Sequence, residues 1–243
     1  MRYAVIADIH ANLAALTAVL EDIERKGDID EIWCLGDIVG YGPDPAECIE
    51  LVRRYRCVCI AGNHDRAAAG EIDTRYFNAH ADAAIRWTSA HLTEKDTAYL
   101  ANLPLTVEKG DFLLVHGSPM DNLFEYIIGK GIAERNFGFF QSRYCLVGHS
   151  HVPLAFKKGE EGCLPVSLSP GVGVVLGSAR MILNPGGVGQ PRDGDPRASY
   201  AVYDGDGHIF RLFRVEYDIE ATQDRIMQAG LPVHLATRLK EGK

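Results

Sequence analysis

Five short polar motifs punctuate this chain in a fixed order: Asp8-Ile9-His10, Gly36-Asp37, Gly62-Asn63-His64-Asp65, Val115-His116-Gly117 and Gly148-His149-Ser150-His151. Almost every Asp, Asn or His in them follows an apolar run that reads as a strand. Residues 3–7, 32–35 and 57–61 are such runs. Between the first two, residues 12–25 place Leu13, Leu16, Leu20 and Ile23 at helical spacing; between the second and third, residues 47–54 read as a second helix after the turn-rich loop Gly40-Tyr41-Gly42-Pro43-Asp44-Pro45. This β-α-β-α-β order predicts a parallel sheet with right-handed crossovers. Functional residues gather at the carboxyl ends of strands in such sheets, where Asp8, Asp37 and Asn63 all fall.

Residues 66–102 carry helical composition, with the aromatics Tyr76, Phe77, Trp87 and Tyr99, and read as a helical insertion covering one side of the strand ends. Strands resume at 112–115 and 144–147, with an amphipathic helix expected over 130–141. After His151 the pattern is β-rich (154–157, 164–168, 180–183, 199–203 and 208–215), and Asp204-Gly205-Asp206-Gly207 signals a hairpin. Residues 219–240 read as one or two helices. The expected fold is α/β (α+β): a four-layer α/β/β/α sandwich of two mixed sheets flanked by helices, with a dinuclear metal site at the strand ends. One domain over residues 1–243 is expected, with the insertion at about 66–103. The Gly/Pro-rich loop over 184–195 matches no regular pattern, and loops of that length usually have a job or are disordered.

The formal net charge of −8 argues against a stable complex with nucleic acid or an anionic membrane, because both need a positive field. No apolar run reaches bilayer-spanning length. The N-terminal apolar run leads straight into the first motif and reads as a strand rather than a signal segment. Six cysteines, at 34, 48, 57, 59, 145 and 163, lie mostly in apolar stretches without a C-x-x-C pair, as expected of free buried thiols in a cytoplasmic protein.

The motifs supply three carboxylates, one carboxamide and five imidazoles, enough to hold two metal ions with a residue or two left over for acid–base work. Two cations about 3.5–4 Å apart can clamp a phosphoryl group and lower the pKa of a water between them. The mixed donor set suits Mn²⁺, Fe, Zn²⁺ or Ni²⁺ better than Ca²⁺ or Mg²⁺ alone. Hydrolysis of a phosphate ester is the chemistry this inventory fits.

The ordered motifs D-x-H, G-D-x-x-G-Y-G-P, G-N-H-D, V-H-G-S-P and G-H-S-H-x-P resemble those of the calcineurin-like metallophosphoesterase superfamily. Within it the chain is most similar to small prokaryotic members of the phosphodiesterase and diadenosine-tetraphosphatase-like group. The resemblance implies that Asp8, His10 and His151 hold a first metal and Asn63, His116 and His149 a second, with Asp37 bridging. It implies that a metal-bridging hydroxide attacks phosphorus, that His64 contacts the phosphate and serves the leaving oxygen, and that Asp65 orients His64. The substrate implied is small, phosphorylated and nucleotide-like, and either a diester or a monoester. A non-catalytic scaffold on the same fold and a serine/threonine protein phosphatase are the alternatives.

Outside the motifs, Tyr41 could stack on a base or simply pack, and Arg192, less so Arg197, could contact a phosphate through bidentate hydrogen bonds. Asn12 reads as the cap of the first helix. His80 is the histidine of the insertion that could reach over the site.

Overall fold

The computed structural model describes all 243 residues, Met1–Lys243. The first half-sheet is β1 (Arg2–Ile6), α1 (Leu13–Lys26), β2 (Glu31–Cys34), α2 (Pro45–Arg54) and β3 (Val58–Cys59), with β1, β2 and β3 parallel as the sequence predicts. Asn12 does cap α1, its side-chain oxygen accepting from the Ala15 amide. Leu16, Leu20 and Ile23 of α1 are buried against the sheet, each such side chain contributing about 1.5–3 kcal/mol.

A run of helices follows: α3 (Asn63–Ala68), α4 (Ala79–His91) and α5 (Glu94–Ala101). The helical stretch therefore begins inside the third motif, earlier than expected, because Asn63 opens α3. The second sheet is then built from β4 (Thr106–Lys109), β5 (Phe112–Val115), β6 (Tyr144–Leu146), β7 (Pro153–Gly159), β8 (Gly162–Pro165) and β10 (Met181–Pro185). The helix between β5 and β6, α6 (Lys130–Asn136), stops short of the expected 141. Beyond it the chain turns to bury Phe137 and Phe140 with Ala133 behind the sheet. The strand expected at 164–168 is shifted to Gly162–Pro165, where it forms a hairpin with β7.

β9 (Gly173–Val175), β11 (Ala198–Asp204) and β12 (Ile209–Val215) return to the first sheet, giving the order β3-β2-β1-β11-β12-β9. The second sheet runs β4-β5-β6-β10-β7-β8. Strand alternation divides the core. Ala4, Ile6, Cys34, Tyr200 and Val202 face α1 and α2, whereas Val5, Trp33, Ala201 and Tyr203 face Phe112, Leu114, Leu146 and Leu183 of the opposite sheet. Two mixed sheets flanked by helices are the result, with a thick helical layer on one side and α6 on the other.

The chain ends in α7 (Ile219–Gln228), α8 (Val233–Thr237) and a 3-10 turn (Arg238–Glu241). Ile226, Leu231, Leu235 and Leu239 of this segment pack with Ala81 and Ala84 of α4 and with Tyr41. All six cysteines are free thiols, buried except for half-buried Cys57. No helix is long and apolar enough to cross a membrane.

Candidate metal centre

Each motif sits just past a strand: Asp8 after β1, Asp37 after β2, Asn63 after β3, His116 after β5, and His149 and His151 after β6. Hydrogen bonds stitch the two sets of strand ends together. The His149 amide donates to Asp8 Oδ1 (3.0 Å) and the Gly148 amide to the His116 carbonyl (2.8 Å). The loop after β10 has a job here. Its Val188 and Gly189 amides donate to the Ala7 and Asp8 carbonyls, and Asn184 Nδ2 donates to the Gly148 carbonyl. Gly189 approaches so closely that an added Cβ would lie 1.8 Å from the Ile9 oxygen.

The turns that carry the ligands are strained. Asp8, His10, Asp37, His149 and His151 all have φ between 50° and 63°, a conformation that costs a non-glycine residue about 1–3 kcal/mol and persists where the surroundings over-determine it. These turns bring together two sets of side chains: Asp8, His10, Asp37 and His151, and Asp37, His116 and His149. Asp37 belongs to both. Its Oδ2 lies 3.6 Å from His10 Nε2 and 3.3 Å from His116 Nε2. Asn63 joins the second set through Oδ1, 3.1 Å from His116 Nε2. All nine motif side chains are at most 5% exposed.

The outer nitrogens of four imidazoles face backbone carbonyls: His10 Nδ1 on Val39 (3.2 Å), His116 Nδ1 on Leu35 (2.8 Å), His149 Nε2 on Phe124 (3.2 Å) and His151 Nδ1 on Gln190 (2.6 Å). A carbonyl only accepts, so each of these nitrogens carries a proton, and in the neutral rings of His10, His149 and His151 the inner nitrogen presents a lone pair. His10 Nε2 and His151 Nε2 then oppose each other at 3.1 Å, and His116 Nε2 opposes His149 Nδ1 at 3.2 Å. Two facing acceptors without a shared proton, as in the His10–His151 pair, are satisfied by a cation, and Asp8 Oδ2 is likewise buried without a partner. The residues present fit two metal ions.

Electrostatics agree with a site built for positive charge. Burial drives His10 and His151 well below the ordinary imidazole value and His149 to about 3, which keeps them neutral as ligands must be. Burial also opposes charge on His116, but the Asp37 carboxylate outweighs it and lifts that imidazole to about 9. Burial pushes Asp8 up to about 7. Asp37 is pushed up by burial too, yet the imidazoles around it, His116 first, hold it well below the carboxylate range.

His64 differs from the other four. Neither of its ring nitrogens has a hydrogen-bond partner, and buried Nδ1 lies against Gly40, where a Cβ would be 2.5 Å away. Its ring is caged by Tyr41 (4.5 Å), His10 (4.8 Å) and Phe77 (5.1 Å), and burial lowers it to about 4. The expectation that Asp65 orients His64 is not met. Asp65 Oδ1 accepts from the Ile38 and Val39 amides and Oδ2 from the Gly62 amide, so its carboxylate ties the Asp37 loop to the start of α3. The polar backbone of that loop claims both oxygens before the imidazole can.

Tyr41 packs edge-on against His10 at 4.7 Å and is buried under the C-terminal segment. Arg192 stands at the site, its guanidinium 5.8 Å from the centre of the Tyr41 ring, whereas Arg197 is taken up by Asp195. His80 is exposed and pairs with His234 at 4.9 Å; the insertion meets the site through Phe77 instead. Two contributors escaped the sequence reading. Tyr126 stacks on His149 at 3.9 Å, from a loop with no periodic signal, and Arg238 lies in the C-terminal turn beside Leu239.

Strand-end loops that gather carboxylates, imidazoles and a carboxamide between two facing sheets form a candidate metal site of the metallophosphoesterase kind. Residues 1–208 match the calcineurin-like phosphoesterase superfamily domain, and the chain belongs to that family. It is 39% identical over 246 residues to an uncharacterized protein of Methanocaldococcus jannaschii, covering 99% of this chain and 98% of that one. The crystal structure of a metallophosphoesterase from Sphaerobacter thermophilus superposes with a TM-score of 0.91 at 45% identity, over 100% of this chain and 99% of that one. A shorter likeness, 37% identity over 62 residues, links 25% of this chain to 23% of the symmetrical bis(5'-nucleosyl)-tetraphosphatase of Erwinia tasmaniensis.

Proposed function

We propose that this protein is a metal-dependent hydrolase of a phosphodiester or phosphomonoester bond in a small, nucleotide-like substrate. The observation that carries this reading is the pair of lone-pair clusters sharing one oxygen of Asp37. In this reading Asp8, His10 and His151 hold one ion, Asn63, His116 and His149 the other, and Asp37 both. Mn, Fe, Zn and Ni are the ions whose preferences match the donors. When bound, two such ions neutralise phosphoryl oxygens and lower the pKa of water between them.

The protein's own part is positioning and proton supply. The carbonyls of Val39, Leu35, Phe124 and Gln190 hold the imidazoles in the tautomer that ligation needs. His64, with no hydrogen-bond partner on its ring, is free to serve the leaving oxygen. A phosphoryl group beside it brings the negative charge that favours its protonated form. Asp65 acts one step back by fixing the Asp37 loop. The cover formed by α4 and the C-terminal segment favours a small substrate over a folded protein or a duplex, and the tetraphosphatase likeness favours a nucleotide.

Hydrolysis of bis-p-nitrophenyl phosphate and p-nitrophenyl phosphate by the Mn²⁺-loaded protein, against the metal-free protein, tests this reading. Metal-dependent turnover of either ester supports it, and the preferred ester separates diesterase from monoesterase. Stoichiometric metal with no turnover of either would sink it.

A further inference from the structure

Ten arginines of this acidic chain are paired with carboxylates. Two near the metal centre, Arg192 and Arg238, which feel each other's charge, have no side-chain carboxylate partner. Arg192 Nη2 donates to Gln190 Oε1 at 2.8 Å, while its buried Nε has no partner. Arg238 spends only its Nε, on the Lys243 carbonyl. Its neighbour Leu239, with Leu235, lines a small cavity together with His10, Tyr41 and Gln190, which brings the C-terminal turn to the edge of the cluster. Both residues are half-buried, and burial together with the charge of Arg192 pushes Arg238 below its ordinary value. Tyr41 and Tyr126 are neighbours of both arginines, and these rings in turn lie on His10 and His149, one in each half of the centre.

Two like charges held together in a partly dry site call for an anion. A forked guanidinium pair matches the oxygens of a phosphate group. We propose that Arg192 and Arg238 clamp a second phosphate, so that the substrate carries at least two phosphates joined in an anhydride chain, one over the metal centre and the next on the arginines. The inference rests on the phosphoesterase reading and narrows its substrate to diphosphate and polyphosphate esters. Arg192 lies inside the matched family domain, residues 1–208, and Arg238 beyond it, so the clamp joins that domain to the C-terminal segment.

The test compares calorimetric binding of methylenediphosphonate and methylphosphonate to the Mn²⁺-loaded full chain, in wild type, Arg238→Gln and Arg238→Lys. The wild type should prefer the diphosphonate by about tenfold or more, the order of one charge-assisted hydrogen bond. Arg238→Gln should erase most of that preference and Arg238→Lys restore part of it, with thermal unfolding verifying that each variant is folded. An equal preference in wild type and Arg238→Gln would mean that the metals alone read the second phosphonate, and the proposal would fall. If the wild type hydrolyses a nitrophenyl ester yet shows no diphosphonate preference, this inference falls and the phosphoesterase reading stands. Bound metal with neither phosphonate bound and neither ester hydrolysed overturns both.

Discussion

The strand-end floor of the site and the helices that close over it reach the same space by different means. In the floor, every candidate ligand lies shortly past the end of a strand, and five of the non-glycine residues in these turns have positive φ. In the cover, Ile226, Leu235 and Leu239 of the C-terminal segment and Ala81 and Ala84 of α4 meet over Tyr41 mainly through apolar packing. The floor is specified by hydrogen bonds and lone pairs with narrow tolerances, whereas the cover is specified by volume and area, which many sequences can supply. On the proposed reading, the ligands are fixed in the floor, and the cover adds the residues that bound the space above them.

Substitutions in the floor should be severe and separable. Asp37→Ala removes the oxygen shared by His10 and His116. It should abolish metal-dependent hydrolysis and lower metal affinity by more than the roughly 10–100-fold lost when only a ligand's supporting partner is removed. Metal content after dialysis, measured by elemental analysis, checks this; retention of both ions would mean that Asp37 is not shared. His64→Ala should keep the metal and reduce the rate by about 10²–10⁴-fold on an ester with a poor leaving group. Full activity in that variant would remove His64 from the reaction.

The contrast also explains what could be read from the sequence. Asp8, Asp37, Asn63, His116, His149 and His151 were legible because each follows a local apolar run, and order along the chain then implies proximity at the strand ends. Strands β4 and β9 were not, since both are sheet-edge strands whose residues are half or fully exposed and carry little hydrophobic signal. The true contacts of Asp65 were hidden because its carboxylate answers amides 26 and 27 residues away, a matter of how the Asp37 loop folds rather than of adjacency to His64. Tyr126 and Arg238 were invisible for the same reason: their roles arise from tertiary packing, with no spacing to announce them.

A steric probe distinguishes tolerance in the two regions. Gly62 has ordinary backbone angles (φ −94°), yet an added Cβ would stand 2.0 Å from Asp37 Oδ1. Gly62→Ala should cost about 1–3 kcal/mol by overpacking and displace Asp37, so that urea unfolding and metal content both fall. Gly230, in the cover, has open space where a Cβ would go, so the steric term is absent there and only its positive φ of 70° resists substitution. An unchanged metal content in Gly62→Ala would show that the floor is softer than its contacts indicate.

The smallest expected effect falls where the two regions are joined. Asn12 is buried and serves both. Its Oδ1 caps α1 at the Ala15 amide (3.1 Å) and accepts from Thr222 Oγ1 of α7 (3.2 Å), while its Nδ2 donates to the Gly189 carbonyl of the loop that closes the floor (2.8 Å). Asn12→Ala should cost about 1 kcal/mol through the lost cap. Thr222 Oγ1 keeps a second acceptor in the Asp218 carbonyl, so α7 itself should stay folded. Hydrogen exchange should then quicken selectively over residues 219–241, with metal content retained, because the tie between cover and floor is cut while the ligands keep their carbonyl partners. Uniform loss of protection together with loss of metal would mean that floor and cover unfold as one unit, and that the division of labour between them does not extend to their stability.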